Sequence, residues 1–503
     1  MICHIDDFLQ KSVKKFPQKM LFKEMGGVSI TYKEFDDLSQ KVASEILRVL
    51  KASVLQQGIL IILPKSINTL ISFFGVAKSG NFYTLLDEKM PLERIEKIIK
   101  VLKPKAFITS KSLNYKLDLP TLYTEDFESY ERDEEALAKA RLRHIDTNLL
   151  YVFFTSGSTG VPKGVSISHK SVIDYAFWVS EEFELDENEI IANQAPLYVD
   201  ASLPDIVGSI VSGGSMHLIP NASFAFPDEI LSYLEKEKIT MIFWKPVIYN
   251  YFAPNKESLK PYPLKHLRKI LCGGDLLSAK TLNIWRSHLP HTLFANLYGP
   301  TEITDVCCFY KVDREFKDEE LLPIGKACKN TELLVFDENK NLINEAGKKG
   351  ELFVRGTSLS LGYYNDTEKT KAAFIQNPLH NNYLDLLYKT GDIVAYNEFG
   401  ELLCYGRIDN QIKFKGHRIE LGEIEAVLNS HAKIKNSACI FKDDKLIAFY
   451  ESEEELNLKA FLKDRLPVYM LPKQSIRLTK LPLNINSKVD RLALYASVRK
   501  ILL

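Results

Sequence analysis

A chain of 503 residues is long enough for more than one domain, and 46% hydrophobic with 26% charged residues is ordinary for a globular protein with a large core. The 65 Lys and Arg balance the 65 Asp and Glu, so the zero net charge gives no reason to expect nucleic acid or an anionic membrane as a partner. The first residues, MICHIDDFLQKSVKKF, lack the apolar stretch of a secretory leader, no apolar run reaches about 18 residues, and the seven cysteines show no CxxC spacing. These features predict a cytoplasmic protein with reduced, mostly buried thiols and no membrane span.

Between about residues 50 and 310, short apolar runs alternate with longer amphipathic stretches. Residues 59–63 read as a strand, 68–78 as a helix, Ala106–Thr109 as a short strand and 149–154 as a fully buried one. A helical stretch covers 203–211, and Met241–Trp244, 269–272 and 293–297 repeat the strand pattern. Alternation of this kind predicts parallel βαβ units, hence an α/β fold with a large N-terminal domain of parallel αβα layers. Glycines fall at strand exits, at 157/160, 273/274 and 299, where open parallel sheets bind ligands. Past residue 320 the strands 332–336, 350–355 and 392–396 are joined by short turns, which predicts a β-rich subdomain over about 320–405. The pattern changes again at Arg407-Ile408-Asp409. We place a domain boundary there, with residues 1–408 before it and a small α+β domain, 409–503, after it, containing one amphipathic helix at Leu421–Asn429.

The run Thr155-Ser156-Gly157-Ser158-Thr159-Gly160 follows the buried strand and leads to Val161-Pro162-Lys163-Gly164. Glycines let backbone N–H groups approach phosphate oxygens, hydroxyls add donors, and Lys163 adds charge. The Walker A pattern is absent, because Pro162 stands five residues after Gly157.

TSGSTGVPKG resembles the signature loop of the adenylate-forming superfamily, which includes acyl-CoA synthetases, luciferases and the adenylation domains of peptide synthetases. Further segments resemble that family in family order: NLYGPTE at 296–302, YKTGD at 388–392, GRIDNQIKFKGHRIE at 406–420 and NSKVDR at 486–491, with weaker matches at TYKEF (31–35), 80–87 and 466–472. The resemblance implies attack of a carboxylate on the α-phosphorus of ATP. It assigns Thr155–Gly160 and Lys163 to the phosphates, and Glu302 to Mg²⁺, which is commonly held by one or two carboxylates plus phosphate. Asn296, Leu297, Tyr298, Gly299, Pro300 and Thr301 would form the adenine segment, with Tyr298 stacked on the base and 273–275 along its edge. Asp392 would accept from the ribose hydroxyls, with Arg407 at ribose or phosphate. Lys488 would bridge substrate carboxylate and α-phosphate as charge develops; Ser487 precedes it, where the pattern commonly has glycine. Asp409 resembles the hinge of a mobile C-terminal domain that acts twice, presenting first the lysine face and then the 413–418 loop, where Gly416 would admit a phosphopantetheine arm.

NQAPLYVDAS (193–202) resembles the amino-acid-activating branch, in which Asp200 pairs with the substrate α-ammonium. Asp200 could instead cap the helix that follows. The chain looks closest to stand-alone D-alanine–carrier protein ligases, and matching their pocket gives Ala201, Pro204, Phe243 or Trp244, Ile270, Cys272, Leu297, Asp305 and Val306. Cys272 suits a small side chain. Asp305 departs from an apolar position and favours a hydroxyl, amide or cationic side chain, so D-alanine is one candidate and another small or polar amino acid an equal one. With little chain after Lys488, the acceptor is expected to be a separate phosphopantetheinylated carrier protein. The competing readings are an acyl- or aryl-CoA synthetase and a non-catalytic nucleotide-binding relic.

Overall fold

The computed structural model describes residues 2–51, 55–157, 161–408, 411–483 and 489–501. The chain divides into two compact units. One comprises 1–88, 103–153 and 165–408, and the other 89–102, 154–164 and 409–503.

The first unit is built on two largely parallel sheets. One has nine strands, ordered Lys326–Ala327, Cys308–Lys311, Leu293–Tyr298, Lys269–Gly273, Met241–Trp244, Ile190–Asn193, Ser215–Leu218, Met20–Glu24 and Ser29–Thr31. Its six central strands are parallel, and the antiparallel strands lie at the edges. Burial on both faces explains why those strands read as continuous apolar runs. The other sheet includes Thr121–Tyr123, Ala106–Thr109, Gly58–Ile62, Phe82–Leu86 and Leu149–Thr155, paired in parallel in that order. The TYKEF segment has a local cause: Thr31 and Glu34 form a reciprocal capping box that starts the helix Tyr32–Val49. A third, antiparallel sheet of five strands, Thr331–Phe336, Gly350–Gly356, Leu386–Tyr396, Phe374–Gln376 and Leu402–Arg407, forms the β-rich part of this unit. Six of the seven cysteines are buried and none forms a disulfide.

The second unit has a three-stranded sheet, Asn436–Lys442, Lys445–Glu451 and Gln474–Leu478, and a hairpin of Gln411–Phe414 with His417–Glu420. Lys415 and Gly416 make the hairpin turn with φ of 49° and 73°, the left-handed pair that a two-residue turn requires. Leu421–Asn429 is helical, as its periodicity predicts, but it is not the only helix: Leu458–Lys463 and Arg491–Ile501 are helical too. The first is too short to show a period. Arg94, on the helix Leu92–Leu102, donates to Glu423, and both side chains are almost fully buried. Breaking a buried pair leaves one charge uncompensated, so Arg94→Met should cost about 3–5 kcal/mol of stability, read as a lowered denaturation midpoint. Among the described residues, no helix is long and apolar enough to cross a membrane.

Candidate active site

In the first unit the strand Leu293–Tyr298 ends in the turn that carries most of the adenine segment. Asn296 donates through Nδ2 to the Pro323 carbonyl at 2.8 Å. Leu297 and Tyr298 are buried in the main apolar cluster, and Gly299 is required by close approach, since a Cβ there would lie 2.2 Å from the Asp305 carbonyl. Pro300 leads into a short helical turn, Thr301–Ile303, which places Glu302 in the interior.

The Tyr298 hydroxyl donates to Asp392 Oδ2, and Arg407 donates to Asp392 Oδ1 at 3.1 Å. Asp392 and Arg407 are direct neighbours across the third sheet. Burial, then the Asp392 charge, pushes the Tyr298 hydroxyl far up, so it remains a proton donor. Each carboxylate oxygen accepts one bond here and keeps a further lone pair, which suits the vicinal hydroxyls of a ribose. The hydroxyl end of Tyr298 is thus committed to Asp392, and its ring contributes to the core.

A second group of acids surrounds the start of the helix Leu203–Ser212. Glu302 is fully buried, and its Oε1 accepts from the Tyr363 hydroxyl at 2.8 Å. Asp200 does not cap the helix. It opens a short helical turn and accepts from the Ala201 N–H at 3.0 Å. Burial raises its pKa, and the Glu302 charge adds to that. Asp305 accepts from the Tyr175 hydroxyl at 2.9 Å; burial, then the charge of Asp200, holds it well above the usual carboxylate range. Lys245 lies in the field of Asp200 and Asp275, and burial draws its pKa down to about 8. Cys272 stands apart from this group. It packs with Ile270, Trp244, Tyr249 and Trp285 in a second apolar cluster, whereas Tyr175, Leu297 and Val306 belong to the first.

In the second unit, Thr155, Ser156, Gly157 and Lys163 lie against the segment 418–423. Ser156 Oγ donates to the Arg418 carbonyl at 3.0 Å and accepts from the Glu420 N–H at 3.1 Å. The Gly157 N–H donates to Glu423 Oε2 at 3.2 Å, and Lys163 reaches Glu420 Oε1 at 3.4 Å. These groups, predicted to hold anionic oxygen, hold carboxylates and backbone. Thr155 Oγ1 is buried with no hydrogen-bond partner among the described residues. A Cβ at Gly157 would lie 2.0 Å from the Val161 carbonyl, so Gly157→Ala must shift the loop. We expect it to raise the KM for ATP by about tenfold or more, measured by pyrophosphate exchange at saturating amino acid. Ser158, Thr159, Gly160, Asp409 and Lys488 lie outside the described residues.

The AMP-binding enzyme profile matches residues 9–364 of this sequence. The chain belongs to the AMP-binding enzyme family. Zwittermicin A synthase ZmaJ of Bacillus cereus is 30% identical to this AMP-binding enzyme over 97% of its chain and 94% of the relative. Bacitracin synthase 1 of Bacillus licheniformis is 32% identical over 93% of the chain. The enzyme spans only 6% to 44% of the length of the larger synthases it matches. A nonribosomal peptide synthetase protein containing adenylation and PCP domains superposes with a TM-score of 0.83 at 23% identity, covering 98% of this chain and 84% of that one, a likeness of fold. The enzyme is accordingly an adenylate-forming ligase with a mixed α/β architecture. Sequence reading passed over Tyr175, Tyr363, Lys245 and Glu423. Only Lys245, at the exit of the strand Met241–Trp244, carried a signal, since strand exits in such sheets face the ligand crevice.

Proposed function

We propose that this enzyme activates an amino acid with ATP, forming an aminoacyl-adenylate and pyrophosphate, and then passes the aminoacyl group to the phosphopantetheine thiol of a separate carrier protein. The observation that carries the reading is the acid excess around Asp200. Glu302 and Asp305 are buried and Asp200 is half-buried, and the three carboxylates share a region in which Lys245 lies in the field of Asp200. Buried charge without compensation is costly. An α-ammonium adds a second cation beside Lys245 where three acids meet; a fatty or aryl carboxylate does not.

The remaining residues take roles that fit their surroundings. Asp392, oriented by Tyr298 and Arg407, accepts from the ribose hydroxyls. Thr155, Ser156, Gly157 and Lys163 orient the departing phosphates once Glu420 and Glu423 release them. Glu302 offers a hard oxygen in acidic surroundings, the donor type Mg²⁺ prefers, and would hold that ion; Mg²⁺ supplies charge neutralisation on the phosphates. Lys488 steadies the reacting carboxylate.

Amino-acid-dependent ATP–pyrophosphate exchange tests the reading. Exchange with an amino acid and none with fatty or aryl acids is the expected result. Exchange with a non-amino carboxylate alone makes the enzyme an acyl- or aryl-CoA synthetase, and silence across a broad panel makes it a relic.

A further inference from the structure

Asp305 is a buried carboxylate in the field of the half-buried Asp200, and a single α-ammonium accounts for only one of them. Thr304 and Asp305 both adopt the left-handed region, with φ of 56° and 73°, where non-glycine residues are uncommon and aspartate is among the best tolerated. Asp305 is 7% exposed, so its carboxylate does not project into solvent. The Tyr175 hydroxyl donates to one of its oxygens at 2.9 Å. No cation figures among the described groups that act on it; Asp200 and Asp205, both acidic, do.

The third element is Tyr151, on the strand Leu149–Thr155. Its ring is 1% exposed, and its hydroxyl has no hydrogen-bond partner among the described residues. That hydroxyl feels the charges of both Asp200 and Asp305. An orphaned buried hydroxyl and a buried carboxylate with no described cation converge on one region, and each is costly unless a ligand completes it.

We propose that Asp305, which accepts from the Tyr175 hydroxyl, binds the side-chain ammonium of a short basic amino acid whose α-ammonium rests on Asp200. The inference depends on the amino-acid-activating function and narrows it to diamino acids. An apolar side chain leaves both Asp305 and Tyr151 unsatisfied. A hydroxyl satisfies one lone pair and leaves the two carboxylates opposed. An ammonium has three donors and a full charge, enough to serve Asp305 and Tyr151 together and to relieve the repulsion between the acids.

ATP–pyrophosphate exchange by the full chain provides the test, with 2,3-diaminopropionate, 2,4-diaminobutyrate, ornithine and lysine set against alanine, leucine, serine and threonine. The best diamino acid should exceed the best neutral one in kcat/KM by about 100-fold, since a buried site built for a polar group strongly rejects analogues lacking it. Asp305→Asn and Asp305→Gly both tolerate a positive φ and keep the turn intact. Each should lower kcat/KM for the preferred diamino acid by about 100-fold and reduce or invert its lead over neutral substrates. Preference for serine or threonine overturns the proposal and gives Asp305 a hydroxyl partner. Preference for alanine or leucine, unchanged in both variants, also overturns it and leaves amino acid activation standing. Exchange with fatty or aryl acids alone defeats the underlying function and the inference together.

Discussion

Alanine at position 488 lowers amino-acid-dependent pyrophosphate exchange by about 10²–10³-fold, the scale set by removing one preorganised charge stabiliser from a transition state. The reaction brings a substrate carboxylate onto a phosphate that already bears negative charge. A cation that meets both as the new bond forms acts more strongly on the transition state than on the separate reactants, so its loss appears in kcat more than in KM. Lys488→Arg, which keeps the charge but changes the donor geometry, should recover part of the rate. Aminoacyl transfer from a chemically supplied adenylate to a carrier thiol should proceed in the alanine variant, because that step no longer brings a carboxylate onto the phosphate. Exchange at the normal rate in Lys488→Ala removes the residue from the reaction.

Much of this architecture was legible because it is local. Leu421–Asn429 and Met241–Trp244 have the bounds their periodicity predicts, and the central strands of the nine-stranded sheet read as apolar runs because both faces are covered. The glycine–hydroxyl loop was legible as a motif, but its surroundings were not. Ser156 meets Arg418 and Glu420 across more than 260 positions, and no spacing rule reaches that far. Tyr175 and Asp305 are separated by 130 positions, and Tyr363 and Glu302 by 61. Cys272 shows the converse. Its place in the strand was readable, but which apolar cluster receives the side chain depends on Trp244, Tyr249 and Trp285, which reach it from other elements. Asp200 read equally well as a helix cap. The structure removes that option, because its carboxylate accepts from the Ala201 N–H and the helix Leu203–Ser212 has no side-chain cap.

That orientation sets the second large effect. Asp200→Ala should raise the KM for the amino acid by about 100-fold or more, the range found when one partner of a buried hydrogen-bonded charge pair is truncated. The KM for ATP should change little, because Asp392 and Arg407 are tied to Tyr298 rather than to Asp200. Stability should move the other way from binding. Asp200 is half-buried beside the like charges of Glu302 and Asp305, so removing it relieves repulsion and desolvation in the free enzyme, at the cost of the attraction it exerts on Lys245. The expected pattern is a melting temperature equal to or above that of the parent, with a severe KM defect confined to the amino acid. Asp200→Asn sharpens the distinction between charge and hydrogen bonding. It retains an acceptor for the Ala201 N–H but cannot neutralise an ammonium, so it should resemble alanine in KM. An asparagine variant with parental KM means that Asp200 serves the turn and does not hold the ammonium.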